Sequence, residues 1–167
     1  MNPALYARLR TGFERLLEAI VFVLMITLAA VVTIAVVYRK LGASLVWYDE
    51  IASVLLAWIT FYGAALAALK GGHIGVSALV DAMPPKLRVA VTLFSEICVI
   101  GFFALLAWIG YSVLEVLATD TLVSLPEISV MYTQSVIPIG ATLFVIAELL
   151  RLPQALREAA SRVEVDP

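Results

Sequence analysis

The sequence predicts an all-α membrane protein: four transmembrane helices, both ends in the cytoplasm, in one membrane domain over residues 1–167. Three observations predict it. Four apolar stretches each approach the roughly 20 residues that cross about 30 Å of hydrocarbon. The composition is 63% hydrophobic and only 14% charged, where an ordinary soluble domain is about 45–50% apolar and about 25% charged. The basic residues, finally, are distributed almost entirely to one side of the spans.

Residues 3–18 read PALYARLRTGFERLLE. Tyr6, Leu9, Phe13 and Leu16 recur at helical spacing with Arg8 and Arg15 opposed, which predicts an interfacial N-terminal helix. The first span follows at about 19–38. Its uncharged run Ala19–Tyr38 exceeds the usual h-region of about 7–15 residues, so it is expected to stay as a signal anchor. Arg39-Lys40-Leu41-Gly42 stops it. Trp47 and Tyr48 precede the second span, at about 50–69, where amphipathic rings favour the headgroup level.

Lys70-Gly71-Gly72-His73 supplies basic and glycine stop signals. Val76, Leu79, Val80 and Met83 then fall at i, i+3, i+4 and i+7, with Ser77 and Asp81 opposed and Pro84-Pro85 ending the pattern. A helix over 74–83 reaches only about 15 Å, so it is expected to lie in the membrane plane. The third span, at about 88–118, is interrupted only by Glu96 and Glu115. At roughly 45 Å it is overlong for the bilayer and requires tilt or protrusion. A loop from Asp120 to Met131 leads to the fourth span, at about 132–150, in which Pro138 predicts a kink.

Nine of the eleven basic residues lie on one side. Arg8, Arg10 and Arg15 precede the first span, Lys70, Lys86 and Arg88 lie between the second and third, and Arg151, Arg157 and Arg162 follow the fourth. Only Arg39 and Lys40 lie on the other. The positive-inside rule therefore puts both termini and the middle loop in the cytoplasm.

Several function classes are disfavoured on the same evidence. A net charge of −2 without a clustered basic surface does not suit nucleic acid. No nucleophile with a base and no pair of carboxylates in a shared pocket is visible, so no catalytic site is expected. The single cysteine, Cys98, builds neither a disulfide nor a thiolate metal site. The single histidine, His73, falls in a glycine-flanked loop where it cannot serve haem within a bundle. No cofactor and no metal is expected.

The polar residues that remain each carry two readings. Glu96, about two turns inside Arg88, is an acid within a span: either a coupling group, or a carboxyl facing a partner subunit or hydrogen-bonded near the cytoplasmic interface. Glu18 and Glu148 stand three residues from Arg15 and Arg151, which predicts helix-surface ion pairs. Asp49 and Glu50 favour the positive end of the second helix, with Trp47 as its anchor, or else form a docking edge with Arg39. Gly63, with Ala64, Ala65, Ala67 and Ala68, makes one stretch of the second helix small enough for close helix approach.

The ordered set Tyr38-Arg39, Trp47-Tyr48-Asp49-Glu50, Trp58, Gly63-Ala64-Ala65, Lys70-Gly71-Gly72-His73-Ile74 and Pro84 resembles the DctQ-type small membrane subunit (small permease) of tripartite ATP-independent periplasmic (TRAP) transporters. The resemblance covers roughly residues 15–150, including Leu125-Pro126 and Ile137-Pro138-Ile139-Gly140. The chain departs from the family pattern at Ser129, where a tryptophan often follows the loop proline, and in having Asp-Glu instead of Glu-Glu at 49–50. The resemblance implies a non-catalytic subunit that braces a large multi-helix partner in the bilayer. That partner moves substrate and sodium, and a periplasmic substrate-binding protein delivers an organic acid. Arg39, Trp47, Asp49, Glu50, Gly63, Lys70, His73 and Glu96 are then the candidate contacts with subunit or receptor. A self-sufficient four-helix transporter would carry a glutamate in its first span, which here is uncharged. An enzyme's membrane anchor would need ligands that the chain lacks.

Overall fold

The structure, a computed structural model, describes residues 3–72 and 83–161. It contains α1 (Pro3–Lys40), α2 (Tyr48–Lys70), α3 (Pro85–Leu117), the short α4 (Val130–Gln134) and α5 (Val136–Ser161). Four stretches are long and apolar enough to cross a membrane, one each in α1, α2 and α3 and the fourth running through α4 and α5. The in-plane helix expected over 74–83 and His73 lie outside the described residues, apart from Met83.

Local chemistry accounts for most helix ends. α1 closes on Gly42 at φ 77°, with the Ala43 amide donating to the Tyr38 carbonyl at 3.0 Å. α2 closes on Gly71 at φ 73°, and the Gly71 and Gly72 amides return to the Ala68 and Ala67 carbonyls at 3.1 and 2.8 Å. Only a residue without Cβ adopts this left-handed geometry cheaply. α3 starts with Pro84 as its N-cap and a proline in its first turn, where a missing amide costs nothing.

Three expectations about helix extent change. The N-terminal amphipathic segment is not a separate interfacial helix: α1 is continuous over 38 residues, because no proline or turn sequence separates Glu18 from Ala19. The fourth span is divided at Ser135 into α4 and α5, three residues before Pro138. Pro138 has no amide for the Gln134 carbonyl, so the ladder fails one turn upstream. Beyond residue 150, α5 runs on to Ser161 through Pro153.

In space the order is α1, α2, α5, α3, with α5 packed between α2 and α3 and α1 lying against α2. The core is Leu17, Ala65, Ala68, Leu69, Phe144 and Ala147. Phe103 of α3 stacks on Phe144 with centroids 3.7 Å apart and planes 15° from parallel. α5 approaches both neighbours at small residues. A Cβ on Gly140 would stand 2.7 Å from Phe61 Cβ, and one on Gly110 of α3 would stand 3.1 Å from the Pro138 ring. Close backbone approach of this kind replaces the hydrophobic drive that lipid does not supply. Gly63 does not take part, since a Cβ there would meet nothing within 4 Å. Ala65 and Ala68 carry the close approach in that stretch.

Hydroxyls inside the spans satisfy themselves. Thr27, Thr33, Thr60 and Thr142 donate to the carbonyls of Val23, Ala29, Leu56 and Pro138 at 2.7–2.8 Å. A dry surround leaves them no other partner.

Candidate functional site

The polar side chains gather at the two ends of the bundle. One end carries the α1–α2 and α3–α4 loops, and the other carries both terminal segments and the start of α3. The second grouping follows from direct contacts: the Tyr6 hydroxyl donates to the Leu150 carbonyl, and Arg10 donates to the Gln154 side chain at 2.5 Å and to the Leu69 carbonyl at 3.2 Å.

At the loop end, Arg39 folds over Tyr48. Its guanidinium carbon lies 5.3 Å from the ring centroid and the group donates to the phenol oxygen, which draws the end of α1 onto the start of α2. Trp47 is half-buried and caps α2 without a side-chain hydrogen bond. The following two acids have different fates. Asp49 is exposed. The Glu50 carboxylate accepts from the Val123 amide at 3.0 Å, the Ser124 amide at 2.8 Å and the Ser124 hydroxyl. Glu50 thus ties the far loop to α2, in addition to favouring the positive end of the helix.

That loop is ordered. An antiparallel bridge pairs Thr121 with Ser129. The Leu122 amide donates to Ile128 at 3.0 Å, and the Val130 amide donates to Asp120 at 2.9 Å. Ser129 caps α4 through the Met131 amide. Trp58 secures α4 from the side, its indole donating to the Thr133 carbonyl at 2.9 Å. Val46, Asp49, Glu50, Ser53, Val123 and Ser124 line an open recess between the two loops.

At the terminal end, Lys70 pairs with Glu18 at 2.5 Å and Glu14 at 3.5 Å. The expected Glu18–Arg15 pair is therefore replaced by a link between α1 and α2, because the end of α2 presents an ammonium nearer to Glu18 than its own helix does. The Arg151 guanidinium lies over Gly71, where a Cβ would stand 2.9 Å from its Nε. Glu148 is not a helix-surface group. It is 2% exposed, and Glu96 and Arg151 lie close enough to act on its charge. Glu96, read from the sequence as a lone acid, has a partner acid on α5.

Of the residues singled out from the sequence, Arg39, Trp47, Asp49 and Glu50 share the loop end, while Lys70 and Glu96 lie toward the terminal end. Gly63 stands apart on α2. Sequence reasoning put Glu148 on the helix surface and did not bring it near Glu96, although a usable signal existed: Glu96 follows the start of its span and Glu148 precedes the end of its own, so two successive spans set them at similar depth. Nothing local marks Ser124 or Val123 as the partners of Glu50. Among the described residues, no group of three or more histidines, cysteines or acids is arranged to hold a metal ion.

Comparison with known proteins accords with this architecture. Residues 28–158 match the family model described as "Tripartite ATP-independent periplasmic transporters, DctQ component". The chain is 38% identical over 87 residues to the ectoine TRAP transporter small permease protein TeaB of Halomonas elongata, a match covering 48% of this chain and 45% of that relative. It is 27% identical over 145 residues to the sialic acid TRAP transporter small permease protein SiaQ of Vibrio cholerae, covering 86% of this chain and 83% of that relative. With four helices able to cross a membrane, and with a family match over most of its length, the chain belongs to the DctQ-type small permease subunits of TRAP transporters.

Proposed function

We propose that this subunit braces a large multi-helix transport subunit in the bacterial inner membrane, both of its termini being cytoplasmic. The complex imports an organic acid with sodium and receives it from a periplasmic substrate-binding protein. The supporting observation is α3. It is 33 residues long, about 50 Å, and none of its most apolar window is buried within the chain. Phe94, Ile97, Phe102, Leu105, Trp108 and Val116 present large apolar surface along it. A long helix held on one side by α5 and open on the other suits a partner that is itself embedded in lipid. The one-sided basic residues favour cytoplasmic termini.

Under this reading Arg39, Trp47 and Asp49 face the substrate-binding protein at the loop end. Glu50 serves that surface indirectly, by fixing Val123 and Ser124. The two relatives are named for different solutes, ectoine and sialic acid, and on this reading the partner chains choose the solute. Purification of the tagged chain in mild detergent tests the assignment. A large multi-helix chain should co-purify, and proteoliposomes containing both chains and the binding protein should take up solute only along an inward sodium gradient. Uptake by this chain alone would overturn it.

A further inference from the structure

The N-terminal turns of α1 carry three arginines with different fates. Arg10 turns inward onto Gln154 and the Leu69 carbonyl. Arg8 and Arg15 are exposed and make no hydrogen bond or ion pair with any described residue. Glu14 and Glu18, the acids nearest to them, are taken by Lys70. Seven residues apart, the two arginines lie on one face at about 10 Å of axial rise. Between them Ala7, Thr11 and Gly12 form the floor of an open recess of about 370 Å³, and no atom lies within 4 Å of where a Gly12 Cβ would stand.

The adjoining strip of the same helix is apolar. Leu5, Leu9 and Leu16 are 53%, 55% and 55% exposed and follow one another at i, i+4 and i+11, next to the arginine face and separated from it by Gly12. Leucines left open beside cations that meet no anion among the described residues, within a few turns of a charge-free span, match an amphiphile at the boundary of the bilayer. An acyl chain would cover the leucines and an anionic headgroup would meet the guanidiniums, which grip phosphate oxygens in a planar fork.

We propose that the Arg8–Gly12–Arg15 recess binds the phosphodiester headgroup of an anionic phospholipid, with Leu5, Leu9 and Leu16 against its acyl chain. The missing side chain at Gly12 leaves room for the headgroup between the charges. Two arginines at a membrane surface support on the order of tenfold or greater preference for an anionic over a zwitterionic lipid.

Native mass spectrometry of the full chain, extracted with whatever partner it retains, tests this with phosphatidylglycerol and phosphatidylcholine as probes. The wild type should retain phosphatidylglycerol about tenfold more than phosphatidylcholine. Arg8→Gln with Arg15→Gln should abolish the preference, and Arg8→Lys with Arg15→Lys should keep most of it. Arg157→Gln, at another exposed arginine of the same end, should leave it unchanged. Millimolar inorganic phosphate should not displace the lipid. Equal retention of the two lipids by the wild type, or an unaltered preference in the double glutamine variant, would overturn the site. So would an equal loss in Arg157→Gln, displacement by phosphate alone, or loss of a co-purifying protein chain without change in bound lipid.

Discussion

α3 and α5 are neighbours that could each cross a bilayer, yet they occupy opposite roles. The most apolar window of α5 is 39% buried within the chain, while that of α3 is 0% buried. α3 is the more apolar of the two. In water this ordering would be perverse, because burial follows hydrophobicity. In lipid the acyl chains are as apolar as leucine, so a helix is drawn to the centre by how closely it can pack and by the polar groups it can satisfy. α5 has both means. Gly140 and Pro138 let Phe61 and Gly110 come close, Ala141 and Ala147 are fully buried, and Glu148 sits inside with Glu96 and Arg151 acting on it. α3 offers Phe94, Phe102 and Trp108 outward instead.

The contrast predicts a graded series of variants, each read by thermal unfolding of the detergent-solubilised chain. Phe144→Ala on α5 removes the ring stacked on Phe103 and should destabilise by about 3 kcal/mol, the lower part of the range for a buried phenylalanine. Phe102→Ala on α3, where the ring is 62% exposed, should change little. Similar losses at both sites would erase the distinction between the helices.

Glycine substitutions sharpen the same point with a single methyl group. Gly140→Ala drives a Cβ to 2.7 Å from Phe61 Cβ, and the overpacking should cost about 1–3 kcal/mol. Gly101→Ala on α3 has no atom within 4 Å of the new methyl. It should be neutral or slightly stabilising, as alanine is the better helix former. A destabilised Gly101→Ala in the isolated chain would show that α3 packs on its own chain more widely than described.

Of the three losses, the most local is expected at the loop end. Trp58→Phe keeps an aromatic ring but loses the donor to the Thr133 carbonyl, a change of about 1 kcal/mol. It should appear as faster amide exchange over residues 130–134 with the core amides of α5 unchanged. Uniformly faster exchange across α5 would mean that α4 and α5 open as one unit.

Sequence alone determined the features that depend on composition and near neighbours. Four apolar stretches, the stops at Gly42 and Gly71, the start at Pro84-Pro85 and the division of the fourth span one turn upstream of Pro138 are all set by side-chain transfer to lipid or by backbone chemistry within one turn. The tertiary structure decided which helix lies against which, and therefore who pairs with whom. Glu18 meets Lys70 instead of Arg15, Glu50 holds Ser124 across 74 positions, and Glu96 acts on Glu148 from the neighbouring helix. The physical reason lies in the solvent. A span that is apolar on every side has no polar face to mark its outside, so its sequence fixes that it crosses the membrane while only packing contacts fix which side turns inward.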